Sequence, residues 1–116
     1  MKVVHLDEVP AMPVRMEGAA GATKQVPIGA ADGSPNISFR VFTLAPGGHT
    51  PYHRHPAEHV NYIIEGEGEL VRGDGPAIPL AAGDFAFVPP EEPHQYRNVS
   101  TTAPMRMICA VPVQYE

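Results

Sequence analysis

The chain reads as all-β, a sandwich or barrel of short strands with little helix. Three observations predict this. Fourteen prolines and eleven glycines in 116 residues break every window before helical periodicity runs beyond about two turns. Between the breakers lie short runs rich in β-branched and aromatic residues. These runs recur about every ten residues with turn chemistry between them: "PGG" at 46–48, "GDG" at 73–75, "AGD" at 82–84 and "PP" at 89–90.

Residues 1–30 are the least patterned and are expected to form an N-terminal segment that serves as a loop, an edge strand or a dimer arm. Within it "EGAAGATKQ" at 17–25 reads as looped, ahead of a barrel spanning 31–116. The first strand run is "NISFRVFTL", where Phe39 and Val41 alternate with Arg40 and Phe42. Both sets are partly apolar, so the pattern does not choose a face. Turned inward, Arg40 is the natural partner of an anionic substrate, with a bidentate fork for carboxylate. Turned outward, it is ordinary surface charge.

The stretch "HTPYHRHPAEHVNYIIEG", His49 to Gly66, holds four of the six histidines. His53 and His55 are two apart, so on extended backbone both leave one face while Arg54 leaves the other. Pro56 interrupts the ladder, "PAE" turns, and His59 opens the next strand. There His59, Asn61 and Ile63 share one face and Val60, Tyr62 and Ile64 the other. Apolar groups on both faces predict cover on both sides, by the barrel interior and by a second layer such as another subunit. His49, in the loop before the pair, is expected to be exposed and is a candidate acid or base at the pocket rim.

"EGELVRG" supplies a further strand, and "DFAFVPP" another that ends in a Pro-Pro corner. A third proline, Pro93, follows, so His94 stands on stiff backbone. In "HQYRNVS" alternation places Tyr96 on the face of His94, as a pocket hydroxyl or as plain barrel wall. In "MRMICAVPV" the odd-numbered residues Met105, Met107, Cys109, Val111 and Val113 form the apolar face. That face should point inward and bring Met107 and Cys109 to the cavity. Cys109 then acts as a small hydrophobe or, less in keeping with four imidazoles nearby, as a thiolate ligand.

One short domain must carry any site. A net charge of -5 with scattered Lys and Arg removes the footprint of a nucleic-acid binder. No apolar run is long enough for a membrane span, the first residues do not resemble a signal peptide, and a lone cysteine agrees with a reducing compartment. The expectation is a cytoplasmic protein.

Two motifs in register resemble those of the cupins. Gly47, five residues, His53, His55, three residues, His59, six residues and Gly66 follow the first motif. Gly83, Pro89, His94 and Asn98 follow the second, with Glu91 where that pattern has glycine. The resemblance implies a small double-stranded β-helix, a jelly-roll-like barrel, holding one divalent transition metal on His53, His55, His59 and His94. The cupin pattern has a carboxylate where this chain has His59. Glu58 is one residue out of register and should face away. Four neutral imidazoles leave the ion its full charge of about two, a stronger Lewis acid than a site with a carboxylate.

By resemblance manganese or iron is expected, with nickel, copper and zinc compatible with the same donors. The expected function is a metal-dependent dioxygenase-type oxidoreductase acting on a small organic molecule. A non-catalytic metal and small-ligand binding or sensory module is the first alternative, and a sugar isomerase or epimerase the second. Pocket candidates are Arg40, Asn61, Tyr96, Met107 and Cys109. The partners expected are a small, anionic ligand and a second copy of the chain in a homodimer.

Overall fold

The computed structural model describes residues 1–116. Nine strands carry the fold: β1 (Met12–Pro13), β2 (Ala20–Ile28), β3 (Ile37–His49), β4 (His59–Glu65), β5 (Glu67–Arg72), β6 (Ile78–Ala81), β7 (Phe85–Val88), β8 (His94–Arg97) and β9 (Met105–Pro112). Helix is confined to three 3-10 turns of three residues each. No helix is long and apolar enough to cross a membrane.

All strand pairs are antiparallel, in the order β6-β5-β8-β3-β9-β4-β7, with β2 on β3 and β1 on β2. The long β3 is the seam of this curled sheet. Its Ile37–Leu44 half pairs with β9, and its last residue, His49, reaches Arg97 of β8. The inner face gathers Leu44, Ile63, Leu70, Leu80, Val88, Tyr96, Met105 and Met107 into one core. Alternation decides these positions, since buried and less buried residues take turns along β9 from Met105 to Pro112. Val113 leaves that alternation to begin a 3-10 turn.

Two departures from the sequence reading concern small, proline-containing segments. Residues 20–28 form a strand where "EGAAGATKQ" predicts a loop. Ala, Gly and Thr give no apolar alternation, yet the backbone ladder to β3 needs none, and register shifts accommodate Gly21 and Pro27. Residues 78–81, "IPLA", likewise pair with β5 although Pro79 masks the pattern. The N-terminal arm folds back over this sheet: the Gln25 side-chain amide donates to the Leu6 and Val9 carbonyls at 3.0 and 2.9 Å. Gln25 pairs with Val41, so the arm covers the outer face at β3.

The positions where the cupin pattern has glycine share one backbone state. Gly47, Gly66 and Gly83 all have positive φ, and so does Glu91, at 64°, alone among the non-glycine residues. At Gly66 a side chain is excluded twice, because an added Cβ would meet the Pro104 carbonyl oxygen at 2.3 Å.

Candidate metal centre

His53 and His94 are joined by reciprocal backbone bonds, His53 N–H to the His94 carbonyl at 3.1 Å and His94 N–H to the His53 carbonyl at 2.9 Å. This isolated bridge, outside any longer ladder, sets their rings 5.1 Å apart. The His55 carbonyl accepts from the Glu91 amide at 2.8 Å, so the Pro-Pro corner clamps the first motif to the second. Arg54 is exposed between the two imidazoles, as alternation predicts. The ring nitrogens of His53, His55 and His94 lie within 4.8 Å of one another, close enough to share one ion.

His59, at the start of β4, adjoins this trio. Its ring stacks on His55 with centroids 4.2 Å apart and lies 5.2 Å from His94. The Nε2 atoms of His59 and His55 face each other in contact. Glu58 is exposed.

The far nitrogens are held too. His94 Nδ1–H donates to the Glu92 carbonyl at 2.8 Å, which turns the Nε2 lone pair to the cluster. His59 Nδ1 sits 3.4 Å from Cys109 Sγ. His55 Nδ1 is buried without a hydrogen-bond partner. Burial favours neutral rings: it is the main cause that lowers the pKa of His53 and of His55, with His94 adding in each case. His59 is pushed down to about 3, by burial first and then by repulsion from the charge that His55 would carry if protonated and from Arg40. Neutral imidazoles with converging lone pairs are the protonation state in which histidine ligates metal. The donor set therefore fits a divalent transition ion.

Beside the cluster lies a cavity of about 370 Å³. Arg40, Asn61, Tyr96 and Met107 line it. Arg40 is therefore inward, which resolves the ambiguity of its strand. Both faces there are apolar because the arm covers the outer one. Tyr96 is buried and its hydroxyl donates to Asn61 Oδ1 at 2.9 Å, while the Asn61 amide approaches Met107 Sδ at 3.9 Å. Burial raises the pKa of Tyr96, with Cys109 adding, so the phenol keeps its proton. Cys109 is fully buried behind His59 and lies outside the lining.

His49 departs from expectation. It ends β3 half-buried, with its Nδ1 3.3 Å from the Gln95 side-chain amide, and it does not line the cavity. Register explains this: Gln95 and His49 lie on the face opposite His94 and Tyr96. Sequence reasoning missed Phe42, because the face of β3 was ambiguous, and Lys24 and the segment Pro13–Met16, because the N-terminal strands were not legible; all of these line the cavity. It also gave no role to Asn98, which is buried and ties three carbonyls, those of Leu44, Ala45 and Ala103.

Comparison with known proteins agrees with this architecture. The Cupin_2 profile, described as a cupin domain, matches residues 40–111. Among solved structures, the polyketide cyclase RemF from Streptomyces resistomycificus superimposes with a TM-score of 0.92 at 33% identity. That match covers 97% of this chain and 80% of RemF. A predicted oxalate decarboxylase from Thermotoga maritima shares the fold with a TM-score of 0.83 at 23% identity, covering 97% and 99% of the two chains. Among curated proteins, the dimethylsulfoniopropionate lyase DddQ of Ruegeria pomeroyi is 34% identical over 65 residues, 56% of this chain and 32% of DddQ. A gentisate 1,2-dioxygenase from a Streptomyces species is 32% identical over 72 residues, 62% of this chain and 20% of the dioxygenase. The chain thus spans a third or less of these two curated relatives.

Proposed function

Because the chain belongs to the Cupin_2 family of cupin domains, we propose that it is a metal-dependent enzyme that closes a ring in a polyketide-type substrate. His53, His55, His59 and His94 would hold the ion. The observation that carries this reading is the similarity to the polyketide cyclase RemF over 97% of the chain, where the dioxygenase and lyase similarities cover at most 62%. Support for His59 as the fourth ligand is its stacking on His55 and the occupation of its Nδ1 by Cys109, which leaves Nε2 for the cluster.

A divalent ion on these nitrogens supplies Lewis acidity, polarising a substrate oxygen. The chain's own residues limit the rest of the chemistry. Glu116, the single carboxylate in the lining, is bonded to the Ser38 hydroxyl and receives the Ala30 amide at 2.8 Å. Those two hydrogen bonds, Ser38 first, hold its pKa below the ordinary value, so it is a weak base. Tyr96 keeps its proton and spends it on Asn61. A pocket without a strong base suits a C–H already acidified by two flanking carbonyls, as in a poly-β-ketone. In an aldol closure that carbon loses its proton to water and forms the C–C bond to a carbonyl within the same molecule. Dehydration then releases one water, and no oxidant is consumed.

The second reading, a dioxygenase-type oxidoreductase using manganese or iron, is favoured by the similarity to gentisate 1,2-dioxygenase. The sugar isomerase reading loses its two acid candidates, since His49 faces away and Tyr96 is engaged. One experiment separates the first two. Zinc-loaded protein, kept free of dioxygen, is given an aryl poly-β-ketone and the product mass is read. Loss of one water supports cyclisation. Turnover only with a redox metal and dioxygen, with uptake of oxygen atoms, replaces it with the dioxygenase reading.

The outer sheet face supports a homodimer. Cross-strand partners Phe39, Ala110, Val60 and Phe87 form one apolar row, and Ile108, Tyr62 and Phe85 the next, up to Val41, which the arm already covers. Phe87 is 63% and Phe85 77% exposed, and no charge interrupts either row. A second copy presents a matching face for sheet-on-sheet packing.

A further inference from the structure

Arg40 is a buried cation without a counter-ion. It is 8% exposed, and it takes part in none of the chain's ion pairs. A guanidinium has five N–H donors. Here one Nη donates to the Tyr115 carbonyl at 3.3 Å and the other to Cys109 Sγ at 3.0 Å. Nε is buried and has no partner at all. The group also lies over the Phe42 ring, 5.0 Å from its centroid, which holds its plane but supplies no acceptor. A buried charge left this way is costly unless something else neutralises it.

That something is positioned by the cavity. Arg40 lines it together with the four histidines, and Cys109 links the guanidinium to His59. The neutral imidazoles bring no negative charge. Lys24 and Arg15 add positive charge to the lining against the single, already bonded carboxylate of Glu116.

We infer that Arg40 is the specificity-determining residue of the pocket and binds a substrate carboxylate beside the metal centre. A planar carboxylate matches the fork geometry of guanidinium and would take the second N–H of each Nη, which the Tyr115 and Cys109 contacts leave open. The substrate is then a free acid with its carboxylate at Arg40 and its apolar body along Phe42, Val14 and Met107, not an ester or thioester. The reaction that supplies it must be one that releases a carboxylic acid, such as hydrolysis of a thioester. This assignment rests on the reading of the cavity as a metal-dependent substrate pocket, and it is tested by binding rather than turnover.

Zinc-loaded protein is titrated calorimetrically with benzoate, benzamide and methyl benzoate, three probes of similar size that differ in charge. Benzoate should bind at least tenfold more tightly than either neutral probe. Arg40→Gln should erase that preference while the zinc content per chain stays at the wild-type value. Arg40→Lys, which keeps the charge and loses the fork, should weaken benzoate at least threefold, and it carries the test if the Gln variant does not fold. Equal binding of the three probes to the wild type overturns the inference. So does a benzoate preference that survives in Arg40→Gln, or unchanged affinity in Arg40→Lys. A protein that retains no metal sinks the functional reading instead, and the two failures are thus distinct.

Discussion

The Glu91 amide donates to the His55 carbonyl at 2.8 Å, and Glu91 makes that bond from left-handed backbone, φ 64°. The bond fixes one histidine of the candidate metal centre through a conformation that costs a non-glycine residue roughly 1–2 kcal/mol. Glu91→Gly removes the strain and returns about 0.5–1 kcal/mol to the unfolded chain as entropy. The expected net effect is a gain of roughly 0.5 kcal/mol in urea denaturation with metal affinity unchanged. Glu91→Pro should lose the amide bond and cannot adopt positive φ, so it should lower both stability and metal content.

Asn98 is a clamp. Its Nδ2 serves the Leu44, Ala45 and Ala103 carbonyls, and its Oδ1 accepts from the Ser100 amide at 2.9 Å. At about 1 kcal/mol for each bond and more for each buried group left unpaired, Asn98→Ala should cost about 3–4 kcal/mol. Chemical denaturation of the metal-free variant measures it directly.

Cys109 acts on the site by orienting His59. Cys109→Ala opens the space behind the ring and removes the Sγ contact to Nδ1 at 3.4 Å. Metal affinity, measured by competition with a chromogenic chelator, should fall about tenfold, as for other residues that hold a ligand from behind. An unchanged affinity would show that the β4 backbone alone fixes the ring.

Acid should destabilise the metal-free protein already between pH 7 and pH 5. His53, His55 and His59 have folded-state pKa values below their unfolded values, that of His59 about 3. Below about pH 6.5 the unfolded chain binds more protons than the folded one, so stability rises with pH in this window. The contribution is complete above about pH 6.5 and is lost as pH falls toward the folded values. Urea midpoints at pH 7 and pH 5 should therefore differ, and His59→Asn should flatten the difference.

Charge placed on the outer rows should prevent the proposed dimer from forming. Val60→Lys, at a position 48% exposed in the single chain, should give the monomer mass by light scattering, with the metal site intact because His59 and Asn61 point the other way. A dimer that survives this change packs through another surface.

The clustering of His53, His55 and His94, with His59 beside them, was legible because extended backbone converts spacing into direction. His53 with His55, His59 with Asn61, and His94 with Tyr96 all face as a two-residue period requires. Arg40 was not, since the core covers one face of β3 and the N-terminal arm the other, leaving no polar side for contrast. β2 and β6 escaped for a related reason: their pairing is made by backbone groups, and Ala, Gly and Pro carry no pattern that records it. The place of His49 depends on Gln95 across the sheet, a long-range contact that no local window contains.

The pairing of β3 with β9, Ile37 opposite Pro112 and Leu44 opposite Met105, has a consequence for how the barrel is made. The seam joins the beginning of the sheet to its end, so loop-closure entropy must be met before the central ladder forms. During synthesis every histidine emerges before the strand that backs them, and the contacts of Cys109 with Arg40 and His59 are among the last to form. Folding should be slow for a chain of this size, in the millisecond-to-second range of non-local β topologies. Until β9 docks, β3 and β4 present open edges to neighbouring chains.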